Sequence, residues 1–410
     1  MAWTARDDDE KKEYFDSPEE LDRKVQQLAD WIRESKHFFV FTGAGISTSA
    51  GIPDFRSGID TVLETGPGAW ELRAKGQQRD SQKHKVTSTL KAIPTTTHMA
   101  LVRLQKEGLL KCVVSQNCDG LHRRSGLPEK ALFELHGNSN VEKCTKCGHE
   151  YLRDFIVLTG LGLLHYTGRH CDDPECRGRL IDSIINFGES LPEEILRKSF
   201  DHAHTADLCV AMGSSLTVTP AANIPEVVGK RQKLVIVNLQ STPMDHLCAL
   251  RIFAKTDQVS SLLMKKLGLE IPQFQLRRTL IISATSTPSD HVEVGVAGAD
   301  DLGYPFSFVK EVTVSGGGEK IKCWEEPFKA TVGVAKEGGG VAIEVVFHGH
   351  YGEPVLSLPV RVDQSLEMVS ISFNPFLAQW TVQRDEEKEE EKKEEKEVAE
   401  ISENTMSLGL

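Results

Sequence analysis

Residues 38–56, FFVFTGAGISTSAGIPDFR, constrain what this 410-residue chain can fold into more than any other stretch. Phe38, Phe39, Val40 and Phe41 form an apolar run too short for a helix and rich in strand formers, so it reads as a buried strand. Gly43-Ala44-Gly45 follows, and its two glycines permit a tight turn and close approach of the main chain to a ligand. Ile46-Ser47-Thr48 reads as a helix start, whose free N–H groups and positive dipole end favour phosphate. Strand, glycine turn and helix N-terminus together suggest a dinucleotide site. The fingerprint is incomplete, because Thr48 stands where a third glycine or alanine is expected. A turn that only joins two packed elements therefore stays open. Pro53-Asp54-Phe55-Arg56 then sets an acid, an aromatic ring and a guanidinium just beyond the turn. A purely structural loop has little use for that combination.

The rest of the chain supplies repeats of the same grammar. Ser17-Pro18-Glu19-Glu20 predicts a helix start with a Ser cap, a first-turn Pro and a capping-box Glu, continued by Leu21, Val25, Leu28 and Trp31 to about residue 35. Residues 57–97 are irregular and polar around Trp70, and predict a cofactor-covering loop with a small helical module. A helix over 97–107 leads to a second buried strand at 111–115, ending in Gln116-Asn117-Cys118-Asp119. The apolar run 132–135 ends at His136-Gly137-Asn138. Further strands are expected at 180–187, 208–212 and 234–239, with helices at 192–204 and 259–267. Strands alternating with helices, without hairpin signals, predict a doubly wound parallel sheet, and such sheets place ligands at the carboxyl ends of their strands.

After residue 275 the character changes to short β-branched segments, near 279–285, 291–296, 306–314, 341–347, 355–362 and 368–373. They predict a separate all-β unit, a small sandwich. The expected organisation is a charged segment 1–17, a catalytic domain 18–274 with an insertion at about 138–180, a β-rich domain 275–383, and a charged tail 384–410. In that tail, residues 384–397 hold five basic and nine acidic side chains and predict a solvated helix or disorder.

Net charge is −12, which argues against broad binding of a nucleic-acid backbone. The first residues are too charged for a signal peptide, and no apolar run reaches about 18 residues, so neither secretion nor a membrane span is expected. Nine cysteines, an odd number, favour metal binding and free thiols over disulfides. Cys144-x2-Cys147 and Cys171-x4-Cys176, separated by a segment able to fold back, match a closed, structural four-sulfur zinc ribbon. A redox CxxC pair with two incidental cysteines is the alternative. His136, with Asn117 and Asp119 at another strand end, is the candidate catalytic group, since imidazole is the natural general base near neutral pH.

The order GAGISTSAGIPDFR, QNCDGLH, ELHGN, CxxC…Cx4C, NFGES, GSSL, IVNLQ resembles that of the sirtuins, NAD-dependent protein-lysine deacylases, over roughly residues 20–274. SQNCDGLH, IVNLQ-x-TP and LLMKKLGLEIP are similar to the class IV branch, whose members are typically nuclear and chromatin-associated. The resemblance implies a Rossmann-type doubly wound sheet with an inserted zinc-ribbon small domain, and the C-terminal all-β region lies outside it. It implies NAD as a consumed co-substrate and one structural Zn2+. By match of position, Gly43, Ala44, Gly45, Ile46 and Ser47 line the phosphates, while Asp54, Phe55, Arg56 and Trp70 border the nicotinamide side. Gln116, Asn117 and Asp119 hold the ribose and carboxamide pocket, Gly213, Ser214 and Ser215 receive phosphate or ribose, and Asn238, Leu239 and Gln240 reach the adenosine end.

In the implied mechanism the acyl oxygen of a modified lysine attacks the anomeric carbon and expels nicotinamide. His136 then deprotonates a ribose hydroxyl, which attacks the acyl carbon, giving free lysine and O-acyl-ADP-ribose. Residues 186–189 would hold the substrate peptide by main-chain pairing. Implied partners are acylated protein lysines, histones and chromatin-associated proteins among them, with a nuclear location expected and a cytoplasmic one as its alternative. Mono-ADP-ribosyl transfer from the same site is the alternative activity. A Rossmann dehydrogenase and a non-enzymatic binding module are the more distant ones.

Overall fold

Among the described residues, ten strands and the helices between them run along the chain up to residue 274. The computed structural model describes residues 11–80, 83–158, 165–287, 290–299, 305–334, 340–362 and 364–384; the predicted charged tail beyond residue 384, and residues 1–10 of the N-terminal segment, lie outside them. In chain order the strands are β1 (Phe38–Thr42), β2 (Leu110–Ser115), β3 (Leu132–Glu134), β4 (Val141–Cys144), β5 (Glu150–Arg153), β6 (Tyr166–His170), β7 (Arg179–Asp182), β8 (Leu208–Met212), β9 (Lys233–Val237) and β10 (Leu250–Ile252). Two compact units divide the chain: Met1–Glu150 with Phe155–Phe274, and Tyr151–Asp154 with Gln275–Leu410.

In the first unit six strands form one parallel sheet in the order β10-β9-β8-β1-β2-β3. Its strands are apolar throughout because both faces are covered, and the period-2 pleat sorts their side chains. Phe38, Val40, Val113, Val210, Val235 and Val237 enter one core, with Leu21, Val25, Leu28 and Ile32 of the helix Pro18–Glu34. Phe39, Phe41, Val114, Cys209, Leu234 and Ile236 enter the other, with Ile224 and Val228 of the helix Asn223–Gly229. Strand order proceeds outward from β1 in one direction and from β8 in the other, so the topological switch lies between β1 and β8. Ligand crevices form at such points.

Local chemistry set the helix ends, with three departures from expectation. The Ser17 hydroxyl accepts from the Glu20 N–H (3.2 Å), but the Glu20 carboxylate faces Lys24 at 3.3 Å instead of closing the box. The predicted helix from Ile46 is two short 3-10 turns, Ala44–Ile46 and Thr48–Ala50, cut by Gly51 at φ 85°. The strand expected at 180–187 stops at Asp182, and residues 183–187 continue outside any ladder. The expected small module is the six-residue helix Ala69–Ala74. Sequence reading also passed over β10 and the helix Asn223–Gly229.

β4 and β7 pair antiparallel, as do β6 and β7; Cys144 ends β4, and Cys147, Cys171 and Cys176 lie in the connections beside these strands. In the second unit the strands are β11 (Leu276–Thr287), β12 (His291–Ala299), β13 (Phe306–Ser307), β14 (Val309–Gly316), β15 (Glu319–Cys323), β16 (Phe328–Gly333), β17 (Val341–Phe347), β18 (Leu356–Val360), β19 (Leu366–Asn374) and β20 (Gln379–Arg384). Two antiparallel sheets, β16-β12-β11-β19-β20 and β15-β14-β17-β18, enclose one core of alternate residues, among them Leu280, Ile282, Val292, Val294, Ile343 and Val345. β15 and β20 escaped the sequence reading because as edge strands they are mostly polar. β16 did carry the alternating signal, with Phe328, Ala330 and Val332 buried. Within this unit β13 pairs in parallel with Leu152 and Arg153. The buried Arg278 guanidinium reaches Asp154 (2.5 Å) and Glu353 (3.4 Å), and lies 4.8 Å from the centre of the Phe308 ring.

Among the described residues, no helix is long and apolar enough to cross a membrane.

Candidate active site

Turns at the carboxyl ends of β1, β2, β3, β8 and β9 converge on one cleft of about 440 Å³ in the first unit. The first and fourth of these turns are packed glycine against glycine. A Cβ on Gly43 would come within 2.8 Å of the Gly213 carbonyl oxygen, and one on Gly45 within 2.7 Å of Gly213 Cα. Gly213 itself has φ 62°, the left-handed region that favours glycine. The Gly45 N–H donates to the Gly213 carbonyl (2.8 Å), which ties the two turns together.

Around these turns stand most of the predicted residues. Gly43, Ala44, Gly45, Asp54, Phe55, Arg56, Trp70, Gln116, Asn117, His136, Gly213, Ser214, Ser215, Asn238 and Gln240 line the cleft. Ile46, Ser47 and Asp119 do not. Ile46 is fully buried in the core below the turn. Ser47 and Asp119 are buried and bonded to each other, Ser47 Oγ donating to Asp119 Oδ2 at 2.7 Å. Leu239 lines a neighbouring depression of about 290 Å³, shared with Gly45, Thr48, Asn238, Gln240 and Lys255.

Hydrogen bonds fix the polar side chains. Asn117 Nδ2 donates to the Gly43 carbonyl (3.2 Å) and Ser214 Oγ donates to Gln116 Oε1 (2.6 Å). Asp54 Oδ1 accepts from the Arg56 and Ser57 N–H groups (3.2 and 3.0 Å), curling the PDFR turn on itself. The Arg56 guanidinium lies 4.6 Å from the Trp70 ring centre and donates to Thr217 Oγ1. Trp70 also contacts Phe55 (5.3 Å) and Phe187 (5.5 Å), so the polar loop 57–75 enters the site through one aromatic anchor.

His136 is half-buried, and its Nδ1 is 2.9 Å from the Gln116 carbonyl oxygen. A carbonyl can only accept, so Nδ1 carries the proton and Nε2 is the basic nitrogen of the neutral ring. Burial lowers the ring's pKa and the bond to Gln116 opposes that. The ring is therefore neutral at pH 7, ready to take a proton. The neighbouring Cys118 thiol donates to the His136 carbonyl (3.2 Å), and burial pushes it up to about 12. It is inert as a thiolate nucleophile at neutral pH.

The Sir2 family model matches residues 43–220, which hold all of these turns except the one after β9. The Sirt6 NAD-dependent protein deacetylase of Drosophila melanogaster is 40% identical over 269 residues, covering 64% of this chain and 81% of that protein. The chain belongs to the Sir2 family. Among its Sir2 relatives, the SRT1 deacetylase of Oryza sativa subsp. indica is 42% identical over 74% of this chain and 61% of its own length. Human sirtuin-7 is 43% identical over 64% of each. The chain thus spans about three-fifths of the length of these two curated relatives. A solved Sir2–p53 peptide–NAD+ complex is 32% identical, covers 60% of this chain and 99% of that one, and aligns with a TM-score of 0.45.

Within this Sir2 chain the four predicted metal ligands meet. The sulfurs of Cys144, Cys147, Cys171 and Cys176 all lie within 4.8 Å of one another, with Cys144–Cys176 at 3.6 Å and Cys147–Cys171 at 3.7 Å. Tetrahedral zinc with Zn–S bonds of about 2.3 Å spaces its sulfurs about 3.8 Å apart. The set fits one Zn2+ with all four positions filled by thiolate, a structural ion and not a catalytic one.

Lining residues that sequence reasoning passed over are Ile184, Ile185, Leu191, Val218, Thr219 and Pro220. All but Thr219 are apolar, and apolar residues carry no mark that separates a cleft wall from a core.

Proposed function

We propose that this chain removes acyl groups from protein lysines, consuming NAD as co-substrate. One observation carries the reading: a neutral histidine, His136, with its tautomer set by a main-chain carbonyl, stands in a cleft built on glycine turns at the sheet's switch point. Glycine turns suit a pyrophosphate, and a positioned base suits proton removal from a sugar hydroxyl. The incomplete glycine fingerprint, with Thr48 at its third position, argues against a Rossmann dehydrogenase.

In this reading Gly43, Ala44, Gly45 and Gly213 approach the phosphates, with Ser214 and Ser215 beside them, and Asn238, Leu239 and Gln240 reach the adenosine end. Asp54, Phe55, Arg56 and Trp70 close the nicotinamide end, and Gln116 and Asn117 orient the ribose between them. Ile46, Ser47 and Asp119 act from beneath, holding the turn in place. Segment 184–189 lies outside any strand ladder and lines the cleft, where an extended acyl-peptide would run alongside it. The acyl oxygen attacks the anomeric carbon as that carbon's bond to nicotinamide breaks. His136 Nε2 then accepts a ribose hydroxyl proton, and that oxygen attacks the acyl carbon. The lysine nitrogen leaves with a proton, and a water molecule supplies the remaining oxygen of O-acyl-ADP-ribose. A nuclear site of action belongs to the same reading, supported by similarity to the class IV branch. Imaging of the tagged full chain tests it.

A panel of acylated lysine peptides incubated with NAD, followed by mass spectrometry of the nucleotide product, is the decisive experiment. O-acyl-ADP-ribose is expected, and ADP-ribose retained on protein would replace deacylation with transfer. His136→Ala should lower turnover by about 10²–10⁴-fold, the usual contribution of a general base. Unchanged turnover would sink the assignment.

A further inference from the structure

The segment after β7 is held on two sides. Toward His136, the Ile185 N–H donates to the His136 carbonyl (3.1 Å) and Ser183 Oγ donates to the Asn138 carbonyl (3.0 Å). On the other side two carboxylates face a single imidazole. His165 Nδ1 is 3.0 Å from Asp182 Oδ1, and its Nε2 is 2.9 Å from Glu189 Oε1. A neutral imidazole has one N–H, so donation to both carboxylates requires the imidazolium.

The same carboxylates grip the main chain between them. The Ile184 N–H donates to Asp182 Oδ1 (3.0 Å) and the Asn186 N–H to Glu189 Oε2 (2.7 Å). Ile184, Ile185, Asn186, Phe187, Gly188 and Glu189 all line the cleft. His165 also adopts φ 56°, a left-handed conformation uncommon for a residue with a Cβ, while its carbonyl accepts from the Asp182 N–H at 2.8 Å. Two charge-assisted bonds offset that local strain.

We propose that His165, as an imidazolium, is a positioning residue for the acylated peptide: it brackets the two ends of the 182–189 segment and so holds its cleft-lining residues in one conformation. The role of that lining rests on the reading under Proposed function. The polar groups on the ring are Asp182, Asn186 (3.4 Å) and Glu189, while Arg179 is turned over the Tyr166 ring at 5.3 Å. The bonds to Asp182, then Glu189, hold the ring's pKa above the ordinary histidine value. A raised pKa means the bracket is complete below that ordinary value and opens as pH rises through the raised one.

The test compares the full chain with His165→Gln and His165→Arg across about pH 6 to 9, from near the ordinary histidine value upward. Amide hydrogen exchange at Ile184 and Asn186, corrected for intrinsic rates, reads the bracket without any substrate. Steady-state KM for acyl-peptide, against KM for NAD, reads its consequence. In the wild type, protection should fall and peptide KM rise about threefold with pH, the size of one exposed charge pair, while KM for NAD keeps its own profile. His165→Gln should show the high-pH values throughout. His165→Arg, permanently charged and able to span two carboxylates, should remove the pH dependence. Protection that is flat with pH, or identical in His165→Gln and wild type, overturns the bracket. Responsive amides with an unresponsive peptide KM overturn the positioning role. A wild type that turns over no acyl-peptide overturns the function proposed above, while the amide data still decide the bracket.

Discussion

At the scale of single residues, the site works by fixing which atoms can donate and which can accept. His136 illustrates this: its Nδ1 is engaged by the Gln116 carbonyl, so the ring has only Nε2 left for chemistry. Burial lowers its pKa from the ordinary value, with the main-chain bond opposing. A base with a lowered pKa keeps its unprotonated form to lower pH, so the acid limb of NAD-dependent turnover should lie below about pH 6.5. A pH–rate profile at saturating peptide checks this, and an acid limb centred above the ordinary histidine value would contradict the neutral ring. Residue type alone made His136, Gln116 and Asn117 conspicuous in the sequence. The tautomer was not legible there, because it depends on a carbonyl 20 positions away.

At the scale of elements, the site is a set of turns at strand ends. The apolar runs ending in GAG, QNCD, HGN, GSS and NLQ could be read directly, since a strand buried on both faces must be apolar and its polar sequel must lie outside the sheet. What could not be read was that the turn after β1 packs on the turn after β8. The two are about 170 residues apart in sequence, and only the strand order brings them together. Gly213→Ala is the sharpest probe of that packing. Its added Cβ would sit 2.6 Å from the Ile46 main-chain nitrogen on a left-handed backbone. The expected cost is about 1–3 kcal/mol of strain, with NAD affinity weakened at least tenfold by displacement of both turns. Isothermal titration with NAD and thermal melts measure the two effects. An unaltered dissociation constant would show that the turns do not hold the phosphates. The short 3-10 turns after Ala44 show the limit of propensity: Gly51 and the demand of the cleft override a helix that Ile46-Ser47-Thr48 invites.

At the scale of the whole molecule, two compact units are made by different physics. The first combines a parallel sheet with a four-thiolate cluster whose sulfurs are spaced for zinc. Structural zinc contributes on the order of 10 kcal/mol to folding, so Cys144→Ser should release the ion and lower the melting temperature markedly. Metal analysis alongside calorimetry checks this, and a folded, zinc-loaded variant would refute the cluster's role. The second unit has an apolar core: two antiparallel sheets bury alternate Val, Ile, Leu and Phe residues, and Arg278 is buried among Asp154, Glu353 and Phe308. By itself the sequence determined membership of the Sir2 family, the doubly wound sheet, the cysteine ligand set and the presence of a β-rich region. Each of these depends on local pattern and spacing. Only the tertiary structure decided which turns share a cleft, that Ile46 and Asp119 support it from below, that apolar Ile184 and Ile185 line it, and that His165 faces two carboxylates. Those are contacts between distant positions, and a chain's local preferences do not encode which distant partner a buried group will meet.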